Sequence, residues 1–199
     1  MSTTSFLERV PERFNNVVIH QDGIDTFQFC QAAEGVVLLF DELGSTAFAP
    51  VKSDITGNIK KVMTKYNSDK QSFNTLQKIV LSEVNSKDKT ATQGLLWLKR
   101  GLEFCAIALV RNIENLSESL STSFQKAYEE SLKKFHSFLV RPIFSLAMQA
   151  CPSRENFYPK IGPDFDSIKD DLLAWAKALK AQTDALDLFY ASAKYDKGL

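Results

Sequence analysis

Hydrophobic residues recur at helical spacing along almost the whole chain. Gly44 ends the first periodic segment, Pro50 suits the first turn of the second, and Pro142 predicts a kink or break in the fifth. Few strand-like alternating runs and no internal repeat are present. The pattern predicts an all-α fold in one domain, residues 1–199, with its core at about 25–195. The predicted helices cover about 25–43, 50–66, 72–84, 92–113, 124–150 and 166–195.

Two segments add detail to this pattern. The stretch TQGLLWLKRGLEFCAIALVRNI, residues 92–113, is apolar nearly all round, which predicts a central, buried helix. In the serine-rich stretch NLSESLSTS, the last serine, Ser123, is expected to cap a helix that begins near Phe124. The proline-rich residues 152–163 predict an irregular connection before the last helix.

Charge and cysteine content narrow the class of protein. Lys and Arg together number 24, as do Asp and Glu, and a nucleic-acid binder usually has a basic excess. The three cysteines, Cys30, Cys105 and Cys151, are odd in number and far apart, which is typical of reduced thiols in a cytoplasmic protein. The first residues, MSTTSFLERVPERF, lack the apolar segment of a secretory signal. The longest apolar runs, such as FCAIALV, are far shorter than the ~20 residues that span a bilayer.

Patterns for catalysis and metal binding are missing from the sequence. TGNIK lacks the second glycine and the Lys-Ser/Thr pair of a phosphate-binding loop, and no GxSxG motif occurs. The two histidines, His20 and His136, belong to no carboxylate–histidine cluster at metal-ligand spacing. We therefore expect no enzyme, no metal and no cofactor.

A polar row marks the helix predicted over 50–66. Asp54, Asn58 and Lys61 recur at i, i+4 and i+7, so they share one face of that helix. Such a row is either a solvated face or a set of hydrogen-bonding groups that meets a ligand.

Two aromatic features accompany the polar row. Trp97 interrupts the otherwise aliphatic central helix, where it is either a core residue or a platform for a ligand. His136 stands between Phe135 and Phe138 in AYEESLKKFHSFLVRPIF, and it is either a satisfied boundary residue or a ligand contact. None of these signals is specific alone, but their joint order and spacing are.

In that order and spacing the chain resembles the glycolipid transfer protein family, from about Phe27 to the last helix. The matching segments are LGSTAFAPVKSDITGNIKK, TLQ, LLWLKRGLEF, KAYEESLKKFHSFLVRPIF and ACPSRENFY. The stretches ATQGLLWLKRGLEF and HSFLVRPIFSLAMQACP resemble the fungal branch of that family.

The resemblance implies a two-layer, all-α sandwich that encloses a hydrophobic lipid pocket. It implies that Asp54 and Asn58 bind the head group and amide region of a glycosphingolipid, and that Lys61 reaches the sugar. Trp97 would stack on the first sugar ring, and His136 would bind the ceramide carbonyl.

The resemblance also implies partners for the chain. The ligand would be glucosyl-, galactosyl- or lactosylceramide, carried between membranes that the protein contacts transiently and peripherally. The family places a membrane-inserting aromatic at Phe138, for which the alternative is a core position. Animal members of the family dock on membrane-contact receptors through a phenylalanine pair that precedes an acidic residue. The corresponding stretch here is LLFDELG. Leu39 replaces one of the two phenylalanines, which puts a receptor partner in doubt.

Three functions remain open at this point: a glycolipid carrier, a lipid sensor that acts through protein partners, and a helical interaction module with a degenerate pocket. Relatives that carry ceramide-1-phosphate have a basic residue at the Asn58 position, so Asn58 and Trp97 favour neutral sugar head groups.

Overall fold

Helices make up most of the chain in the computed structural model, which describes residues 4–199. Within those residues, the strands are confined to a two-stranded antiparallel hairpin, β1 (Ile19–His20) and β2 (Gly23–Ile24), so the all-α prediction is confirmed. The helices are α1 (Phe6–Arg9), α2 (Thr26–Leu43), α3 (Ala49–Ser68), α4 (Leu76–Glu83), α5 (Thr90–Glu114), α6 (Leu120–Glu130), α7 (Arg141–Gln149), α8 (Arg154–Ile161) and α9 (Phe165–Ser192).

The first two long helices begin within one residue of their predicted starts; α2 ends at the predicted Leu43, and α3 continues two residues past Tyr66. The Asp25 carboxylate accepts a hydrogen bond from the Gln28 amide at 2.9 Å and caps α2. Gly44 follows α2 in the left-handed conformation, with φ of 73°, which a glycine adopts without steric cost. Pro50 lies in the first turn of α3, where its missing amide hydrogen costs no helical bond.

Helix α5 is the centre of the fold, as its apolar sequence predicts. Most of its side chains are buried, and it packs against α3, α6 and α9. Even Lys99 is only 2% exposed, and its ammonium pairs with Asp187 of α9 and lies 3.5 Å from the Glu103 carboxylate. A buried lysine needs such carboxylate partners to remain charged.

The N-terminal segment also belongs to the core. The rings of Phe6 and Phe14 lie 5.7 Å and 5.5 Å from the indole of Trp175 on α9, and all three side chains are almost fully buried. The hydrophobic core therefore extends to residues before position 25.

The structure corrects the predicted fifth helix. Ser119, and not Ser123, caps the helix, and α6 ends at Glu130. A short 3-10 turn follows, and His136 has an extended backbone with φ of −89° and ψ of 134°. The predicted interruption at Pro142 is wrong in position, because α6 ends twelve residues earlier, at Glu130, and Pro142 lies in the first turn of α7.

Two smaller expectations were also wrong. The predicted third helix begins at Leu76, capped by Thr75, and not near residue 72. The predicted irregular connection contains α8, which tolerates Pro159 near its C-terminal end. Among the helices of residues 4–199, none combines the length and the apolar character needed to cross a bilayer.

Candidate functional site

The five side chains singled out from the sequence border one pocket of about 430 Å³, which we call the α3–α5 pocket. A volume in this range suits a ligand of ordinary small-molecule size. Three parts of the chain contribute: α3, α5, and the loop from His136 into α7. The lining residues are Pro50, Asp54, Asn58, Lys61, Gln93, Trp97, His136, Val140, Ile143 and Phe144.

The polar row of α3 forms one wall of the pocket. Asn58 is buried, and its Oδ1 accepts a hydrogen bond from the Lys61 ammonium at 3.0 Å. Asp54 is exposed at the rim, yet the surrounding protein partly desolvates its carboxyl group and raises the pKa. A hydrogen bond from Asn58 and the charge of Lys61 act in the opposite direction on the same pKa. The row is therefore a connected set of acceptors and donors.

Gly94 of α5 lets the two helices approach closely at this wall. A Cβ atom at position 94 would lie 2.9 Å from Cβ of Lys61 and 3.5 Å from the Asn58 carbonyl oxygen. The first distance is shorter than a carbon–carbon contact allows, so a larger residue would push α3 and α5 apart. Gly94 thus sets the position of Asn58 and Lys61, a role that the sequence pattern alone did not reveal.

His136 is held in the pocket by aromatic neighbours. Its ring lies 4.4 Å from that of Phe144, and its Nδ1 is 3.2 Å from the hydroxyl oxygen of Tyr128. Burial lowers the pKa of His136, and the charge of Arg141 lowers it further. The imidazole is therefore neutral at pH 7, with one nitrogen as a donor and the other as an acceptor.

Trp97 of α5 lines the pocket beside His136. Its indole is roughly parallel to the His136 ring, at 17° with the ring centroids 6.0 Å apart. The Arg100 guanidinium packs 4.9 Å from the Trp97 ring and 3.6 Å from the Phe135 ring. Arg100 was not singled out from the sequence, although its position three residues after Trp97 places both on one helix face.

A cluster of buried aromatic rings forms the floor below His136. Tyr128 of α6 stacks on Phe144 of α7 with 5.3 Å between ring centroids, and Phe104 of α5 meets Phe124 of α6 at 5.7 Å. The polar groups of the pocket thus lie directly above an apolar interior built by α5, α6 and α7.

An exposed apolar patch adjoins the pocket on the side of α7. Phe138 is 76% exposed, which rules out a core position, and Leu139 and Leu146 are exposed as well. Ile143 is partly exposed and also lines the pocket, so the patch reaches its rim. Apolar groups concentrated in this way on a surface mark an interaction site.

Two other features carry no ligand chemistry. Leu39 and Phe40 of the LLFDELG stretch are both buried, so this pair is not accessible to a receptor. The carboxylates of Glu103, Asp184 and Asp187 lie close enough together to hold a cation. Lys99 of α5 and Lys180 of α9 already pair with these carboxylates, which offsets two of the three negative charges.

Comparison with known proteins agrees with the fold and with the resemblance in the sequence. The family model for glycolipid transfer proteins matches residues 24–163. A glycolipid transfer protein of Aureobasidium melanogenum is 44% identical over 188 residues, which cover 94% of each chain. This chain therefore belongs to the glycolipid transfer protein family, and its similarity to a fungal member agrees with the predicted fungal branch.

Solved structures extend this comparison. The crystal structure of HET-C2, a fungal glycolipid transfer protein, has a TM-score of 0.91 and 42% identity, and the match covers 97% of this chain and 100% of that one. The structure described as showing how FAPP2 selects simple glycosphingolipids has a TM-score of 0.86 and 34% identity over 96% of this chain and 97% of that one. The two-layer, all-α fold of the family is confirmed.

Human pleckstrin homology domain-containing family A member 8 is a larger relative. It is 37% identical over 94% of this chain, and the chain spans 38% of its length.

Proposed function

We propose that this protein extracts a glycosphingolipid from one membrane and delivers it to another, without covalent chemistry. The observation that carries the proposal is the shared pocket, in which Asp54, Asn58, Lys61, Trp97 and His136 surround one space beside an exposed apolar patch. The family membership and the glycolipid transfer protein relatives support the same function.

Polar recognition in the proposed complex centres on the ceramide amide. Once the chains are buried, its N–H and C=O need partners, because an unpaired buried polar group costs roughly 1–3 kcal/mol. The ionised Asp54 carboxylate accepts from the amide N–H and from a sugar hydroxyl. If the Tyr128 hydroxyl donates to Nδ1 of His136, then Nε2 carries the proton and donates to the ceramide carbonyl.

The sugar is bound next to the amide in this proposal. Asn58 and Lys61 offer hydrogen bonds to its hydroxyl groups, and the indole of Trp97 offers a flat face to its apolar C–H side. Lys61 is the one lysine or arginine among the described lining residues of the pocket, and its charge acts on the carboxyl group of Asp54. A neutral hexose suits this charge balance better than a phosphate, so ceramide-1-phosphate is the weaker candidate ligand.

Entry of the lipid's hydrocarbon chains requires the interior of the protein to open. A ceramide carries two long hydrocarbon chains, and about 430 Å³ at the surface accommodates the head group and not both chains. We infer that the chains pass Val140 and Phe144 into the aromatic floor between α6 and α7. Burial of the lipid's methylenes contributes about 0.8 kcal/mol each relative to water, which keeps an extracted lipid inside the protein while it crosses the aqueous phase.

Membrane contact in this proposal is made by the patch around Phe138. The chain has no net charge, so polybasic attraction to anionic lipid would dominate only if basic residues were clustered, and the proposal assigns adsorption to apolar contact instead. Exposed Phe138, Leu139 and Leu146 would enter the interface reversibly and present the pocket to the bilayer surface. We place this activity in the cytoplasm, because the buried, unpaired thiols of Cys30 and Cys105 suit a reducing compartment. In this proposal the whole chain acts as one lipid-binding domain.

Vesicle-to-vesicle transfer tests the proposal. Donor vesicles carrying fluorescent galactosylceramide are mixed with acceptor vesicles, and the rate is measured with and without protein. We expect transfer in proportion to protein concentration. A protein that binds the lipid but leaves the spontaneous rate unchanged would be a sensor, and that result would overturn the carrier function.

A further inference from the structure

Arg100 of α5 is a cation held against two aromatic rings. Its guanidinium carbon lies 4.9 Å from the centre of the Trp97 ring and 3.6 Å from that of the Phe135 ring. Its Nε is buried and has no hydrogen-bond acceptor within residues 4–199. Burial lowers the pKa of Arg100, although carboxylates near the C-terminus of the chain act in the opposite direction. The two ring faces therefore compensate a partly desolvated cation.

Packing alone does not require a charge at position 100. A leucine or methionine would fill the space beside two rings without the cost of desolvating a cation. A guanidinium adds what those side chains lack, a flat, charged surface that is attracted to the face of each ring. The contact therefore sets the orientation of both rings relative to α5, and not only the volume between them.

The Trp97 indole depends on its neighbours for its orientation. The side chain is only partly buried, and within residues 4–199 no hydrogen bond to the indole N–H holds the ring. Its aromatic and charged neighbours are His136, with 6.0 Å between ring centroids, and the Arg100 guanidinium. His136 belongs to the loop between α6 and α7, so Arg100 is the one of the two that shares a helix with Trp97.

Arg100 also joins Trp97 to the turn that precedes His136. Phe135 ends the 3-10 turn Lys133–Phe135, which packs against α6. The guanidinium thus links α5 to this turn. Arg100 is not among the described lining residues of the α3–α5 pocket, so it would act on a ligand through Trp97 and not by direct contact.

From these contacts we propose that Arg100 is a positioning residue for glycolipid recognition. It holds the Trp97 ring in the orientation that receives the sugar by fastening that ring to the turn before His136. This inference rests on the proposed function, because the sugar is part of the same lipid.

Two variants and a matched control test the role of Arg100. Arg100→Met keeps the unbranched stem and removes the cation, whereas Arg100→Lys keeps the charge and removes the planar head. The control, Arg111→Met, removes an arginine farther along α5 that pairs with Glu118 and lines no part of the α3–α5 pocket. Binding of a soluble short-acyl galactosylceramide is measured for each protein, and for Arg100→Met in a Trp97→Leu background.

The orientation of the indole has its own readout. The chain has two tryptophans, Trp97 and the buried Trp175, so two indole N–H signals are expected in a ¹H–¹⁵N NMR spectrum. Trp97→Leu assigns the signals, and that of Trp175 serves as an internal reference for the core.

We expect Arg100→Met to bind galactosylceramide about 3- to 10-fold more weakly, the effect of losing one desolvated cation–π contact. The signal of Trp97 should move and that of Trp175 should not. Arg100→Lys should show a smaller loss, and Arg111→Met should keep the wild-type affinity. In the Trp97→Leu background, Arg100→Met should cost less than about 2-fold, because no indole is left to position.

Three results would overturn the positioning role: the full loss in the Trp97→Leu background, an unchanged Trp97 signal, or wild-type affinity in Arg100→Met. If the wild-type protein bound no galactosylceramide, the proposed function itself would fail. The Trp97 signal would still decide whether Arg100 orients the ring.

Discussion

Replacing Phe138 with alanine separates a membrane contact from a structural role. The side chain is 76% exposed and lies next to a pocket whose rim includes Ile143. We expect Phe138→Ala to slow glycolipid transfer and weaken adsorption to vesicles, while binding of a soluble short-chain glycolipid stays unchanged.

The exposure of Phe138 sets the size of each effect. Truncation of a buried phenylalanine costs about 3–5 kcal/mol of stability, whereas changes at exposed positions usually stay within about 0.5 kcal/mol. Full burial of the ring in the bilayer interface would contribute about 1.5–3 kcal/mol. Losing that term corresponds to adsorption about 10- to 150-fold weaker.

Vesicle co-sedimentation and thermal melting give the two readouts. Leu188 of α9 provides a matched control, because it is 75% exposed and does not line the α3–α5 pocket. Leu188→Ala should leave adsorption and transfer at the wild-type level. A melting temperature lowered by many degrees in Phe138→Ala, with adsorption unchanged, would contradict the membrane role.

Three further predictions concern the pocket itself. Asp54→Val should abolish transfer. Because the folded protein raises the pKa of Asp54, ionisation of this carboxyl costs stability as the pH rises above 3.8, so the melting temperature of the valine variant relative to wild type should be higher at pH 7 than well below pH 3.8. Transfer at the wild-type rate by this folded variant would refute its role. Tyr128→Phe should weaken glycolipid binding about 3- to 10-fold, because the His136 ring loses one hydrogen bond. It should also shift the tautomer of His136, which ¹⁵N chemical shifts report. An unchanged tautomer would mean that Tyr128 does not position the ring. Gly94→Val should reduce transfer by displacing Lys61, and a wild-type rate would show that the close helix approach is dispensable.

Helical periodicity was sufficient to predict the polar row. Residues four and three apart lie on one helix face whatever the helix packs against, so Asp54, Asn58 and Lys61 could be grouped without a structure. Trp97 and His136 joined them through the resemblance, which carries the relative position of distant segments. Periodicity alone contains no such information.

Other parts of the site depend on contacts between elements. Gly94 matters because of a separation of 2.9 Å between two helices, and nothing in a single-helix pattern reports that distance. The sequence left Phe138 as either a membrane-facing aromatic or a core residue. It is exposed, and it lies on an irregular segment between α6 and α7 whose geometry no helical pattern describes.

Native mass spectrometry after competition between two lipids tests the central claim most directly. The protein is incubated with vesicles that contain equal amounts of galactosylceramide and ceramide-1-phosphate, then separated from them and its mass measured. The account predicts one galactosylceramide per chain, little ceramide-1-phosphate, and no adduct with Asp54→Val. Equal occupancy by the two lipids, or a lipid-free protein, would contradict it.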